Sequence, residues 1–406
     1  MHLERLELRD YRNYATARLQ LGKGVWVLVG ENAQGKTNLL EAAHYLAVGH
    51  SHRVAGDAPL VRAGAEAAVI RAVARLSADA AAGDGTGDGA GRRLTVELEL
   101  RPGGRNRMRL NGQPQSRTRD AIGQIRSVLF APEDLQLVRG DPGERRRFLD
   151  DLLTQRRSAY AAARQEYDRV LRQRNALLKA ARSGRSPVPH PAEVAGAEAA
   201  ETTMETWTAA LARAGGTVLA ARIAAVHALA GPTEDAYRDL VAGSPEREAT
   251  GRVALAYELS TGRRVEAQAG AGVPDPALLE AELRAGLDAA APAERERGVT
   301  LAGPHRDELF LGLNDLPAKG YASHGELWSL ALALRLASRE VLHEVGDEPV
   351  VLLDDVFAEL DERRRARLAA RCATFEQVLV TAAVDDDVPL AGPRCVVRAG
   401  TIRPAA

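Results

Sequence analysis

Residues 30–37 read GENAQGKT, in a chain whose 54 basic residues include lysine only at positions 23, 36, 179 and 319. A compact ammonium kept where arginine is the rule suits a phosphate inside a tight loop, because a planar guanidinium fits less well there. The apolar run GVWVLVG precedes the loop and a helical pattern follows it, which is the strand–loop–helix context a phosphate-binding loop requires. The backbone N–H groups of residues 32–37 are then expected to wrap phosphates at the positive end of the helix. Lys36 would reach the β- and γ-phosphates and the Thr37 hydroxyl would sit on Mg²⁺. Gly30, Glu31, Asn32, Ala33, Gln34, Gly35, Lys36, Thr37 and Asn38 are the candidate nucleotide residues.

A partner for this loop stands near the other end. PVVLLDD is an apolar run that delivers Asp354 to the carboxyl edge of a strand, where it can hold the water shell of a divalent cation, with Asp355 facing an attacking water. Such a run is common by itself as a core strand ending in a solvated turn; the phosphate loop makes it informative. In ASHGELWSLALALRLA, Ser323, Gly325 and Glu326 open a long apolar helix. Alone this is most simply a helix cap, yet its free N–H groups also form a second anion cradle.

At 406 residues the chain can hold two or three domains, and its net charge of −1 offers no global field for nucleic acid. Two cysteines far apart exclude a disulfide framework or zinc cluster and point to a reducing cytosol. The charged N-terminus is not a signal peptide, and no uninterrupted apolar run is expected to span a membrane. Strand-rich patterns lie at both ends. Between them, Pro142 to Ala181 and Ala192 to Leu229 read as two long helices joined by SGRSPVPHPAE, an arm. The Gly/Asp-rich stretch 79–93 reads as a hairpin tip without chemistry. The predicted fold is α/β, a P-loop ATPase head of mixed sheets split by a helical arm: 1–134 and 299–406 as the head, 135–298 as the arm.

These motifs together resemble an ABC-type ATPase head of the SMC kind. LRDYRNY, GHSHR, FAPEDLQLVRGDPGERRRFLD, GPHRDEL and ASHGE are similar to the RecF family of bacterial recombination mediators, from about Leu3 to Ala382. The resemblance implies two heads closing face to face around two ATP molecules, so that Ser323 and Gly325 of one copy meet the γ-phosphate held by Lys36 of the other. Glu359 and Asp361 would lie at the same seam. Glu133 and Asp134 stand where that family's Q-loop region falls, with Gln136 the nearest glutamine. The implied activity is DNA replication, recombination and repair within the SOS response. It would be carried by an ATP-dependent homodimer with weak, DNA-stimulated ATPase activity that clamps double-stranded DNA near gaps, with RecR/RecO-type partner proteins, in the cytoplasm.

Three departures from the family pattern carry expectations. Ala33 replaces a usual glycine, from which a negative φ is expected. His324 and Trp328 stand where the family favours glutamine or basic residues, which suggests Trp328 at the dimer seam. Asp355 stands where related transport ATPases place glutamate; it is shorter by about 1.5 Å, and RecF-like proteins share it, so slow hydrolysis is implied. Thr381 ends QVLVT, where its hydroxyl either touches the γ-phosphate or simply closes a strand.

DNA would lie on a local basic stripe, drawn from Arg9, Arg12, His52, Arg53, Arg105, Arg107, Arg109 and Arg145 to Arg147. RNRMRL should place three guanidinium groups on one strand face. The competing readings are a transporter's nucleotide-binding subunit, which the arm and the paired aspartates disfavour, and an SMC-like chromosome tether, which the short helices disfavour.

Overall fold

The computed structural model describes residues 1–77, 91–118, 121–183, 193–242 and 252–405. The Gly/Asp-rich stretch and the proline-rich joint of the arm fall mostly or wholly outside these residues.

The sheet that carries the chemistry has the order β16-β15-β3-β14-β13-β8, with β3 Gly24–Val29, β8 Ser127–Phe130, β13 Val350–Asp354, β14 Gln377–Ala382, β15 Arg394–Arg398 and β16 Thr401–Pro404. All its pairs are parallel except β15 with β16. β8, β13 and β14 are buried at every residue because both of their faces are covered, whereas β15 and β16 leave residues exposed. Val351 and Leu353 of β13 enter a core shared with the helices of the arm, whereas Val350 and Leu352 enter a second core beneath an antiparallel sheet. That sheet runs β2-β1-β4-β5-β6-β7, from β1 His2–Tyr11, β2 Tyr14–Gln20, β4 Ala68–Arg75, β5 Arg93–Leu100, β6 Arg107–Leu110 and β7 Gln113–Pro114. The helix α1 Lys36–Val48 lies between the two sheets, buried from Leu39 through Val48.

The arm opens with α2 Leu135–Arg139, α3 Pro142–Arg156 and α4 Ser158–Arg182, so the first predicted helix is broken at Arg157, whose backbone is extended. The second runs further than predicted, as α5 Glu193–Val241, continuing through Pro232. It packs against α4, against α6 Pro276–Arg297 and against α8 His324–His343 of the head. By length and composition α5 is apolar enough to cross a membrane, but 61 % of its most apolar stretch is buried inside the fold. Arg222, which interrupts the apolar run, is itself buried. A third sheet, β10-β9-β11-β12, joins β9 Val253–Glu258 and β10 Arg264–Glu266 from the middle of the chain to β11 Glu308–Leu313 and β12 Leu316–Pro317. The short α7 Ala318–Tyr321 and α9 Glu362–Cys372 complete the head.

Two sequence motifs, GERRRFLD and GPHRDEL, meet in space. Arg145 forks onto Glu308 at 2.6 and 2.7 Å, and Arg146 donates to the Asp307 carbonyl at 2.7 Å. The buried Arg222 of α5 bridges Asp150, Tyr257 and the Pro304 carbonyl. His305 Nε2 donates to the Thr300 carbonyl at 3.2 Å, which leaves Nδ1 to accept from the Tyr167 hydroxyl at 2.6 Å, and burial pushes its pKa down to about 4.

Candidate functional site

The phosphate loop sits at the carboxyl end of β3, in the crevice where an α/β sheet of this kind takes ligands. Its glycines answer to neighbours. A Cβ on Gly30 would lie 2.2 Å from the Val397 carbonyl, and Gly35 has φ 112° with Asn13 and Tyr14 pressed against it. Ala33 has φ 64°, not the negative value expected. Successive N–H groups can converge on one point only if the chain alternates hand, and Ala33 takes the left-handed position at a cost of about 1–2 kcal/mol.

Lys36 is buried and bends across the loop, donating to the Gly30 carbonyl at 2.7 Å and the Glu31 carbonyl at 3.2 Å. Its charge meets only neutral acceptors there, so an anion entering the loop gains a full electrostatic partner. Gln34 faces outward: its carbonyl accepts from Asn13 Nδ2 at 3.0 Å and its side chain from the Ala399 N–H at 2.6 Å. With the Tyr14 hydroxyl on the Gly35 carbonyl, these contacts clamp the loop from the β1–β2 and β15–β16 turns.

Opposite the loop, β13 and β14 run parallel with Asp354 beside Thr381. Thr37 Oγ1 donates to Asp354 Oδ1 at 2.9 Å, and Thr381 Oγ1 donates to the same oxygen at 2.6 Å. The Thr381 hydroxyl also accepts the Asp355 N–H at 3.0 Å, where Asp355 adopts φ 50°. Burial raises the Asp354 carboxyl above its usual range; the two hydroxyls act in the opposite sense, and the charges of Asp355 and Glu133 raise it further. A hydroxyl and a carboxylate oxygen within 3 Å, in a spot crowded with negative charge, are the hard donors that suit Mg²⁺. The residues present therefore fit a triphosphate and its cation.

The cleft these groups border has a volume of about 530 Å³, and Asn32, Ala33, Lys36, Thr37, Asn38, Asp355, Glu359 and Thr381 line it. Arg53 lines it too, with its guanidinium 3.0 Å from Asn38 Oδ1. The sequence places Arg53 with the DNA stripe; GHSHR gives no spacing that would put it here, since the following turn brings it back over α1. Phe357, also in the wall, has no local signal either.

The second cradle is elsewhere. Ser323 caps α8 and forms a reciprocal capping box with Glu326, the Ser323 N–H reaching Glu326 Oε2 at 2.7 Å. Asp361 caps α9, accepting from the Arg364 N–H at 2.9 Å. Arg364 joins the two, forking from Asp361 to Ser329 Oγ beside Gly325. None of Ser323, Gly325, Glu326 and Asp361 lines the cleft of their own chain. Trp328 is buried in the large core, so it is a packing residue of this chain and not a seam residue. Asp134 is buried too, bound to Arg335 of α8 at 2.6 Å and to the Ala131 N–H, while Glu133 and Gln136 remain exposed.

The expected basic stripe is not continuous. Arg12 is tied by two hydrogen bonds to the fully buried Glu41, and Arg145 is buried on Glu308. Burial would raise the Glu41 carboxyl, but Arg12 and Ser51 outweigh it and hold it low. Arg107 and Arg109 are exposed on β6, where the latter faces Glu97, whereas Arg105 lies before the strand, so three guanidinium groups do not share one strand face. Arg9 is exposed on β1.

Residues 2–393 match the family described as "RecF/RecN/SMC N terminal domain". The chain is 51 % identical over 404 residues to the DNA replication and repair protein RecF of Streptomyces avermitilis, covering 99 % of each. The chain belongs to the RecF family. It is 50 % identical to RecF of Kineococcus radiotolerans over 96 % of this chain and 95 % of that one. A solved structure described as the recombination mediator protein RecF-ATP in the RecFOR pathway superposes with TM-score 0.81 at 25 % identity, covering 100 % of this chain and 99 % of that one. An Smc head domain from Pyrococcus furiosus superposes with TM-score 0.51 at 17 % identity, over 100 % of this chain and 96 % of that one, a likeness of fold. RecF membership over the full length leaves the transporter reading without support, and the ABC-type head split by helices is the observed architecture.

Proposed function

We propose that this RecF-family chain is an ATP-switched DNA-binding protein, in which two copies close on two ATP molecules, retain double-stranded DNA near single-strand gaps and support recombinase loading together with RecR/RecO-type partners in the cytoplasm. The observation that carries the reading is the separation of the two cradles. Lys36, Thr37 and Asp354 build one half of a site, while Arg364 ties Asp361 to Ser329 Oγ beside Gly325, at the start of the helix that Ser323 caps, and none of these lines the cleft. Each half has what the other lacks, which a second copy can supply.

Bound between Thr37 and Asp354, Mg²⁺ would supply positive charge to the β- and γ-phosphate oxygens. Lys36 neutralises the same oxygens from within the loop. Thr381 fixes Asp354 and the Asp355 backbone together, and the short Asp355 side chain orients the attacking water from further back than a glutamate would, which supports slow, DNA-stimulated hydrolysis. ATP then times retention on DNA.

The test is mass by light scattering with ATP, alongside retention on gapped duplex. Wild type should dimerise and hold DNA with ATP but not ADP. Lys36→Arg should weaken both, and Ser323→Arg should bind one ATP per chain yet stay monomeric. Intact ATP-driven dimers of Ser323→Arg, or retention indifferent to ATP, overturn the reading.

A further inference from the structure

Between the β6–β7 end of the antiparallel sheet and α4 of the arm lies an open groove of about 610 Å³ that the ATP site does not use. Arg105 and Arg117 border it from the sheet side, Arg169 and Arg172 from the helix. Among the described residues lining it, one carboxylate opposes these four guanidinium groups, Glu166, and it is already forked onto Arg169 at 2.6 and 2.9 Å. Arg105 reaches the Ser116 carbonyl at 3.0 Å, a neutral acceptor. Arg117 and Arg172 are exposed with no hydrogen-bond or ion partner among the described residues.

The helix side is ordered. Residues 162, 165, 166, 169 and 172 recur at three- and four-residue spacing, so one face of α4 forms the wall. Arg169 also lies 5.7 Å over the Trp207 ring of α5, which fixes the stem that the wall depends on. The stretch 162–172 is about 15 Å long, and one strand of a duplex presents a phosphate every 3.4 Å or so of axis, roughly four phosphates. Among the described residues lining the groove there is no aromatic ring, so it offers no platform for stacking unpaired bases.

We propose that this groove holds the phosphate backbone of double-stranded DNA, an inference that rests on the DNA-binding reading above and places the contact on Arg105, Arg117, Arg169 and Arg172. The interaction is to phosphate only and carries no sequence preference. It replaces the discontinuous stripe anticipated from the sequence with a two-walled channel between head and arm.

The experiment uses the full chain with ATP and a fluorescently labelled blunt duplex, measured by anisotropy across a salt series. The variant is Arg117→Glu with Arg172→Glu; a charge-matched control is Arg238→Glu with Arg252→Glu, on exposed arginines elsewhere. A fluorescent ATP analogue checks that each variant keeps its nucleotide site. The groove variant should bind duplex at least tenfold more weakly, with the log–log salt slope reduced by about 2, one for each phosphate no longer neutralised. The control should match wild type. Equal weakening in both variants assigns the effect to net charge and overturns the groove, as does undiminished duplex binding by the groove variant. Weakening confined to single-stranded DNA overturns it too. Wild type that binds no duplex with ATP removes the DNA reading itself, which separates the two failures.

Discussion

Thr381 Oγ1 lies 2.6 Å from Asp354 Oδ1 and 3.0 Å from the Asp355 N–H, so one hydroxyl ties the cation ligand to the backbone of the water-facing aspartate. The two choices open for this residue, phosphate contact or strand end, are joined by a third: it positions both carboxylates. Thr381→Val keeps the shape and removes the bonds. ATPase turnover should fall about tenfold, or ~1.4 kcal/mol, with ATP affinity changed less than threefold, and Thr381→Ser should restore turnover. Unchanged turnover in the valine variant would leave the hydroxyl a strand terminus only.

Ala33 predicts a gain. With φ 64° it occupies a conformation that glycine adopts without penalty. Ala33→Gly should raise stability by about 0.5–1 kcal/mol after the added freedom of the unfolded chain is subtracted. Urea titration of the nucleotide-free protein measures it, and a loss of stability would mean that the loop does not strain this residue.

Arg12 separates structure from DNA contact. Removing it leaves the fully buried Glu41 with the Ser51 hydroxyl at 2.6 Å and the Arg53 guanidinium at 3.9 Å, and breaking such a buried pair costs about 3–5 kcal/mol. Arg12→Ala should therefore lower the unfolding midpoint sharply, whereas the fraction that remains folded binds duplex as wild type does. A folded variant with weakened DNA binding would return Arg12 to the interface.

His305 sets an acid limit. Its pKa falls from an ordinary 6.5 to about 4, because burial disfavours the cation. The unfolded chain then binds more protons than the folded one between those values, so stability rises with pH. The contribution is complete above pH 6.5 and is lost as pH falls toward 4, up to about 3 kcal/mol. Denaturant melts at pH 7.5, 6 and 5 should show this slope in wild type and lose about one proton of it in His305→Gln. Parallel slopes would place the acid sensitivity elsewhere.

The meeting of the phosphate loop with Asp354 was legible because each motif is local. GENAQGKT carries its own turn and helix start, and β13 announces Asp354 by a run that is apolar on both faces. What escaped was set by distant chain. The hand of Ala33 follows from the convergence of the loop, and the fate of Trp328 from α5, whose position no local pattern states. Arg12 and Arg53 both face Glu41, yet Arg12 is sealed onto it at 2.6 Å while Arg53 stands 3.9 Å away and lines the cleft. A charge reads alike in either setting until its neighbours are known. The β9–β11 pairing joins a strand from residues 135–298 to one from residues 299–406, so one sheet draws on both segments.

The helix α5 reaches from Trp207, under Arg169 at the basic groove, to Asp239, within 3.4 and 3.5 Å of Arg371 and Arg367 on α9. Those 32 residues make a rod of about 48 Å. If it moves as one rigid body pivoted near Asp239, a tilt of about 3° would carry its far end through roughly 2.5 Å. That is enough to take a guanidinium out of hydrogen-bonding range of a phosphate. A displacement of α9, the helix that Asp361 caps, would therefore be larger at Trp207 than at Asp239 if α5 followed it as one body.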